Sequence, residues 1–188
     1  VNDIAFSGDG EPTSHRNFDD VASLVADVKR QHGLDDVQLV LITNASLLHR
    51  PRVARALQIL DSNQGEIWAK LDAGTDAYYQ LVERTAVPFG LVLDNIRHAA
   101  QCRPIVIQSL FMRIHEQPPS AQEIEAFCDR LNEILGDRGQ IAAVQVYTIA
   151  RAPAENWVAA LRDDEVDAIA ETVRKRTQVR VEHYYGRS

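Results

Sequence analysis

Polar side chains recur at matching places along this chain, each at the end of an apolar run or inside one. The first group is Ser7-Gly8-Asp9-Gly10-Glu11-Pro12, and the second is Thr43-Asn44-Ala45-Ser46. Lys70 and Asp72 form the third, Gln108 and Ser109 the fourth, and Gln145, Tyr147 and Thr148 the fifth. A polar group inside a buried strand is costly unless it is paired. The five groups must therefore satisfy one another, directly or through water, or line a ligand pocket. For the set as a whole a pocket is the favoured expectation. Gly8 and Gly10 would let a ligand approach the backbone closely. The Glu11 carboxylate suits an ammonium group, and Pro12 fixes the turn. A phosphate cradle is a weak reading, because Thr13 stands where the third glycine of a dinucleotide loop belongs and no Gly-Lys-Ser/Thr follows. The structural alternative is a plain strand-to-helix turn.

Other chemistry is poorly supported. The six histidines (15, 32, 49, 98, 115 and 183) form no HxxxH or HExxH pair. There is no GxSxG elbow. Cys102 and Cys128 are far apart and are read as small buried hydrophobes, not as ligands. No metal ligand and no catalytic nucleophile is assigned. Arg174-Lys175-Arg176 fits the carboxyl end of a helix, where cations complement the dipole. Tyr184-Tyr185 is read as packing.

The elements that must carry these groups alternate between strand and helix. Strands are predicted over 3–6, 37–43, 66–71, 105–111, 141–149 and 179–184. The run VQLVLIT is nearly continuous and β-branched, as in a strand buried on both faces. Helices are predicted over about 18–28, 52–60, 76–84, 89–101 and 120–135, and a last one carries Val166, Ile169, Ala170 and Val173. Gly33 stops the first, Pro88 separates the third and fourth, and Ser120-Ala121-Gln122-Glu123 has the capping-box pattern. Six strands alternating with helices imply βαβ units and a mainly parallel sheet, doubly wound or barrel-like, with ligands at the carboxyl ends of the strands.

Composition agrees with one ordinary domain spanning 1–188. Apolar residues make up 45% and charged residues 25%, with a formal net charge of -7. That balance gives no support to a nucleic-acid partner. No apolar run is long enough to span a bilayer, so no membrane partner is expected. No secretory signal opens the chain. The expected location is the cytoplasm.

The ordered set of motifs resembles the radical S-adenosylmethionine (SAM) superfamily. The similar branch is one of Fe-S oxidoreductases distantly related to wyosine-base synthases. SGDGEPT (residues 7–13) looks like its glycine-glutamate-proline motif. LITNASLLHRP (41–51), AKLDAGT (69–75), PIVIQSLF (104–111) and VQVYTIARAPAE (144–155) resemble further segments of that branch. The resemblance implies a partial (β/α)6 TIM-like barrel with SAM at its carboxyl mouth. It implies that Gly8, Asp9, Gly10, Glu11 and Pro12 hold the methionyl ammonium, and that Thr43, Asn44 and Ser46 line the wall. Lys70 and Asp72 would reach the SAM carboxylate and ribose. Gln108 and Ser109 would lie near ribose or adenine, and Gln145 and Tyr147 near adenine or substrate.

One departure is large. The family holds a [4Fe-4S] cluster on a CxxxCxxC loop after its first strand, and no such loop occurs here. The expectation is that the first strand and its cluster loop are missing from the chain as given. Two readings follow. In one, the intact protein reductively cleaves SAM at the cluster, with an external electron donor, and the resulting 5′-deoxyadenosyl radical acts on an unknown substrate. In the other, the chain is a cluster-less module that binds SAM or another nucleoside without redox activity.

Overall fold

The computed structural model describes residues 1–186. All six predicted strands form, and together they make one sheet. They are β1 (Asp3–Phe6), β2 (Gln38–Thr43), β3 (Gly65–Lys70), β4 (Ile105–Leu110), β6 (Ile141–Tyr147) and β8 (Val181–Tyr184). Every neighbouring pair is parallel, and the spatial order is the sequence order, β1-β2-β3-β4-β6-β8. Two short strands that the sequence did not reveal, β5 (Met112–Ile114) and β7 (Val158–Ala160), pair antiparallel in a separate ribbon.

The order decides between the two architectures left open above. A doubly wound sheet reverses direction part-way, and this one never does. Right-handed crossovers taken always in the same direction place the connecting helices on one face. The result is an α/β fold of the partial TIM-barrel type, whose other face is the inner wall.

The helices are α1 (Phe18–Gln31), α2 (Pro51–Asp61), α3 (Asp76–Glu83), α4 (Phe89–Cys102), α5 (Ala121–Gly136) and α6 (Asp163–Thr177). None is long and apolar enough to cross a membrane. Their apolar stripes meet alternate residues of the strands. Leu39 and Leu41, Ile67 and Ala69, Ile105 and Ile107, and Val144 and Val146 all join the core with Ala22, Leu57, Ile96, Phe127 and Val166. Gly33, at φ +60, turns the chain after α1 as expected of a residue without a Cβ. Arg174 and Lys175 pair with Glu171, and Arg176 pairs with Glu125 and Asp129, so that cluster is a solvated ion-pair network.

Three local expectations need correction. Ser120 does cap α5, accepting from the Glu123 N–H at 3.1 Å. Glu123, however, does not return to Ser120. Its carboxylate crosses to the loop after β3, accepting from the Gly74 N–H at 2.5 Å and the Thr75 hydroxyl at 2.6 Å. Cys128 is buried in α5, but Cys102 is exposed at the end of α4, where the helix leaves the core. Tyr184 and Tyr185 are half exposed, and their hydroxyls donate to Glu182 and Asp167.

Candidate functional site

The loop after β1 and the end of β2 are joined through one carboxylate. Pro12–Ser14 forms a single 3-10 turn, and Glu11 is its N-cap. Glu11 Oε1 accepts from the Thr13 N–H (3.1 Å), the Thr13 hydroxyl (2.5 Å) and the Thr43 hydroxyl (2.7 Å). Its Oε2 accepts from the Asn44 N–H at 2.8 Å. Both threonines are buried. Glu11 thus holds two strand ends together, a role its type and spacing did not reveal. The free surface of this loop is its backbone. A Cβ at Gly8 or Gly10 would meet nothing within 4 Å, and neither glycine has a positive φ. Packing does not explain why these two positions lack side chains.

The β2 loop is rigid for its own reasons. Thr43 Oγ1 accepts from the Ala45 N–H, and Asn44 Oδ1 accepts from the Ser46 N–H, both at 3.0 Å. Ala45 is fully buried with φ +60, a conformation that costs a residue with a Cβ. Asn95 of α4 holds it, donating to its carbonyl at 2.8 Å.

Asn44 and Ser46 line a small pocket together with Lys70, Asp72 and Glu83. Its volume of about 40 Å³ takes only a few water molecules. Asp72 Oδ1 accepts from the Leu110 N–H at 2.7 Å, and its Oδ2 lies 3.9 Å from Lys70 Nζ. Burial is the main force that pushes the Asp72 carboxyl up to about 8. The Lys70 ammonium opposes that rise, and the neighbouring Glu83 carboxyl adds to it. Glu83 was not singled out from the sequence, where an acid on an exposed helix looks like any solvated residue.

The remaining candidates divide by face. Gln108 and Gln145 stand side by side on the inner wall, with Lys70 beside Gln108 and Glu182 beside Gln145 in the strand register. Gln108 Nε2 donates to Gln145 Oε1 at 3.1 Å, and Gln145 Nε2 donates to Glu182 Oε2 at 3.4 Å. One polar row therefore crosses four strands. Tyr147 lies further along β6, beside Leu110 and Tyr184. Burial pushes its phenol well above the ordinary range, with Asp72 and Glu83 contributing. Ser109 is not brought to this wall. It alternates with Gln108 and shares the core face with Ile107, fully buried and with its hydroxyl unpartnered. Thr148 is also buried and accepts from the Leu161 N–H at 2.8 Å. Asp9 is exposed in its loop.

Among the described residues no group of three or more His, Cys, Asp or Glu gathers to hold a metal ion. The thiols do not fit a cluster. Cys128 is buried in the α5 core face, where burial pushes it up to about 11, and Cys102 lies on a different helix.

No protein-family model matches the chain, and no curated protein matches it. Solved structures do match, 29 chains in all. One is a structure of TYW1 with a lysine-pyruvate adduct bound, with a TM-score of 0.66. The likeness is one of fold. Sequence identity is 12%, over 93% of this chain and 50% of that one, so the chain spans about half the length of TYW1.

Proposed function

We propose that this chain is the SAM-binding part of a radical SAM enzyme. The observation that carries the reading is the pair of glycines, Gly8 and Gly10. No packing contact and no positive φ requires them. They lie on the motif whose sequence resembles the SAM-ammonium loop, at the carboxyl end of the first strand of a parallel sheet. A bound ligand that approaches the backbone supplies the missing reason.

The site residues fit such a ligand in distinct ways. The enclosed pocket between Asn44, Lys70 and Asp72 is too small for a nucleoside. SAM would therefore lie along the inner wall, with one polar group reaching inward. The Lys70 ammonium would meet the SAM carboxylate, and the Gln108–Gln145 row would meet ribose or adenine. Glu11 would act mainly by holding the Gly8–Gly10 backbone in place, because its oxygens are already engaged. Bound at an iron–sulfur cluster, SAM supplies a radical chemistry that no amino-acid side chain provides. The cysteines of this chain do not fit that cluster, so under this reading its ligands come from outside residues 1–188. An external electron donor, an unidentified substrate and a cytoplasmic location belong to the same reading.

A second reading, a nucleoside-binding module without redox chemistry, is favoured by the placement of Cys102 and Cys128. Calorimetry with SAM tests what the two readings share. We expect Gly8→Ala and Gly10→Ala each to weaken SAM binding about tenfold, while stability moves by less than about 0.5 kcal/mol, as at an unconstrained surface site. Absence of SAM binding to the unaltered chain would overturn the SAM-binding reading and leave only a module for another nucleoside. Anaerobic reconstitution with iron, sulfide and a reductant tests what both readings say of the cysteines. Neither expects SAM cleavage by residues 1–188, and cleavage would reject both the module and the placing of the cluster ligands outside this chain.

A further inference from the structure

A cleft on the outer side of the 3-10 turn carries a charge pattern unlike the rest of the molecule. The chain is acidic overall, and its arginines are mostly neutralised. Arg84 pairs with Glu155, Arg103 with Asp61, Arg113 with Glu165, and Arg97 with Asp94. Arg16, Arg50 and Arg52 differ. Among the described residues none of the three forms an ion pair, yet all three line one open cleft of about 490 Å³. Thr13, His15 and Arg55 complete its wall. Arg55 is neutralised, giving two N–H groups to Asp19 at 2.8 and 3.0 Å.

The two halves of the cleft come from distant segments. Thr13 to Arg16 follow β1, and Arg50 to Arg55 open α2 after β2. The parallel pairing of β1 with β2 sets them side by side. Arg52 Nη1 donates to the Arg16 carbonyl across the gap, which fixes the opening and leaves the remaining Arg52 donors free. Three guanidinium groups gathered without a counter-charge repel one another. An anion seated between them turns that repulsion into attraction. The floor adds to this. Pro51 has no N–H and no side chain caps α2, so the Arg52 and Val53 amides at its first turn have no intrahelical acceptor. The helix end strengthens the site, and the arginines define it.

Three guanidinium groups lining one cleft suit a tetrahedral anion better than a carboxylate, which a single fork satisfies. We propose that this cleft binds a phosphate group, either free phosphate or the phosphate monoester of a small ligand. No residue of the acidic Gly8–Glu11 loop lines this cleft, so the inference stands without the SAM reading. A phosphate held here would nonetheless lie on the same rim, one 3-10 turn from Glu11.

The test is titration of the 188-residue protein with inorganic phosphate at constant ionic strength, followed by backbone amide NMR shifts. We expect saturable shifts confined to residues 13–16 and 50–55. Arg16→Gln and Arg50→Gln should each weaken binding by about tenfold, the size of one charge-assisted hydrogen bond. Both side chains are exposed, so both variants should fold, which circular dichroism verifies. Arg138→Gln, an exposed arginine on the opposite rim, should change nothing. A nucleoside monophosphate that shifts the same amides identifies a monoester site, and phosphate acting alone identifies the free ion. Shifts that do not saturate, or that chloride reproduces at equal ionic strength, would overturn the proposal. So would a short single-stranded RNA whose binding is weakened as much by Arg138→Gln as by Arg50→Gln, because that marks an extended nucleic-acid surface instead of a compact site.

Discussion

Asp72→Asn isolates the electrostatics of the inner wall. The carboxyl is almost fully buried, with 4% of its side chain exposed. In the folded protein it keeps its proton up to about pH 8, chiefly because burial disfavours the charge. In the unfolded chain it loses the proton near the ordinary aspartate value of about 3.9. Between those two values the native state binds more protons than the unfolded state. Stability attributable to Asp72 is therefore whole below about pH 4, falls as pH rises, and stops falling above about 8. One proton gives a limiting slope of about 1.4 kcal/mol per pH unit. Over the whole window the loss is at most about 6 kcal/mol, a ceiling that already contains the opposition of Lys70. The amide introduced by Asp72→Asn would keep an oxygen for the Leu110 N–H and carry no charge. Urea denaturation of both proteins from pH 4.5 to 9 checks the reasoning. The variant should match the unaltered protein at the acid end and become progressively more stable above it. Subtracting the two curves cancels the other titrating groups. A flat difference curve would show that Asp72 does not titrate as a buried carboxyl.

Two further substitutions probe the scaffold of the site. Glu11→Ala strips an acceptor from two buried hydroxyls and two amides; at about 1–3 kcal/mol per unsatisfied buried group, a loss of about 3 kcal/mol is expected in chemical denaturation. A loss below about 0.5 kcal/mol, the ordinary surface value, would mean that Glu11 does not tie β1 to β2. Gly74→Ala would place a Cβ 2.1 Å from the Phe127 nitrogen and 2.5 Å from the Ala126 carbonyl carbon, both backbone atoms of α5. The helix must move, and a loss of about 1–3 kcal/mol, the usual cost of overpacking, should appear as a lowered melting temperature.

Much of this fold can be read from local pattern, because each main strand is an apolar run long enough to stand out. Residues 37–43 announce a buried strand by β-branching alone. Met112–Ile114 and Val158–Ala160 do not, since three residues alternating with Arg113 carry no usable period. The strand-end groups were legible as a set because parallel strands all deliver their carboxyl ends to one rim. The face was not read from the sequence, which set both Gln108 and Ser109 at the pocket. Gln108 and Ser109 are adjacent in one strand, so they point to opposite sides, and only one of them can reach the inner wall. Glu83 and Glu182 escaped for a different reason. Their types and surroundings look solvated in sequence, and only the approach of α3 to β3 and of β8 to β6 gives them a place at the site. Glu123 shows the converse case, where a capping pattern supplied half of the expected bonds and tertiary structure took the other half.

The glutamine row has a direction. Gln145 must aim its amide nitrogen at Glu182, because a carboxylate only accepts. Its oxygen must then face Gln108, whose nitrogen must face back. The Gln108 oxygen is left out of that chain, on a strand whose other neighbour carries Lys70. Turning either amide over would set oxygen against oxygen somewhere along the row. Under the proposed SAM reading, the acidic end thus dictates, two strands away, which kind of ligand atom would be welcome. A group bearing N–H or O–H would find an acceptor there, and a bare carbonyl would meet a lone pair. Discrimination between two ligands of equal shape would then originate in a residue neither one touches.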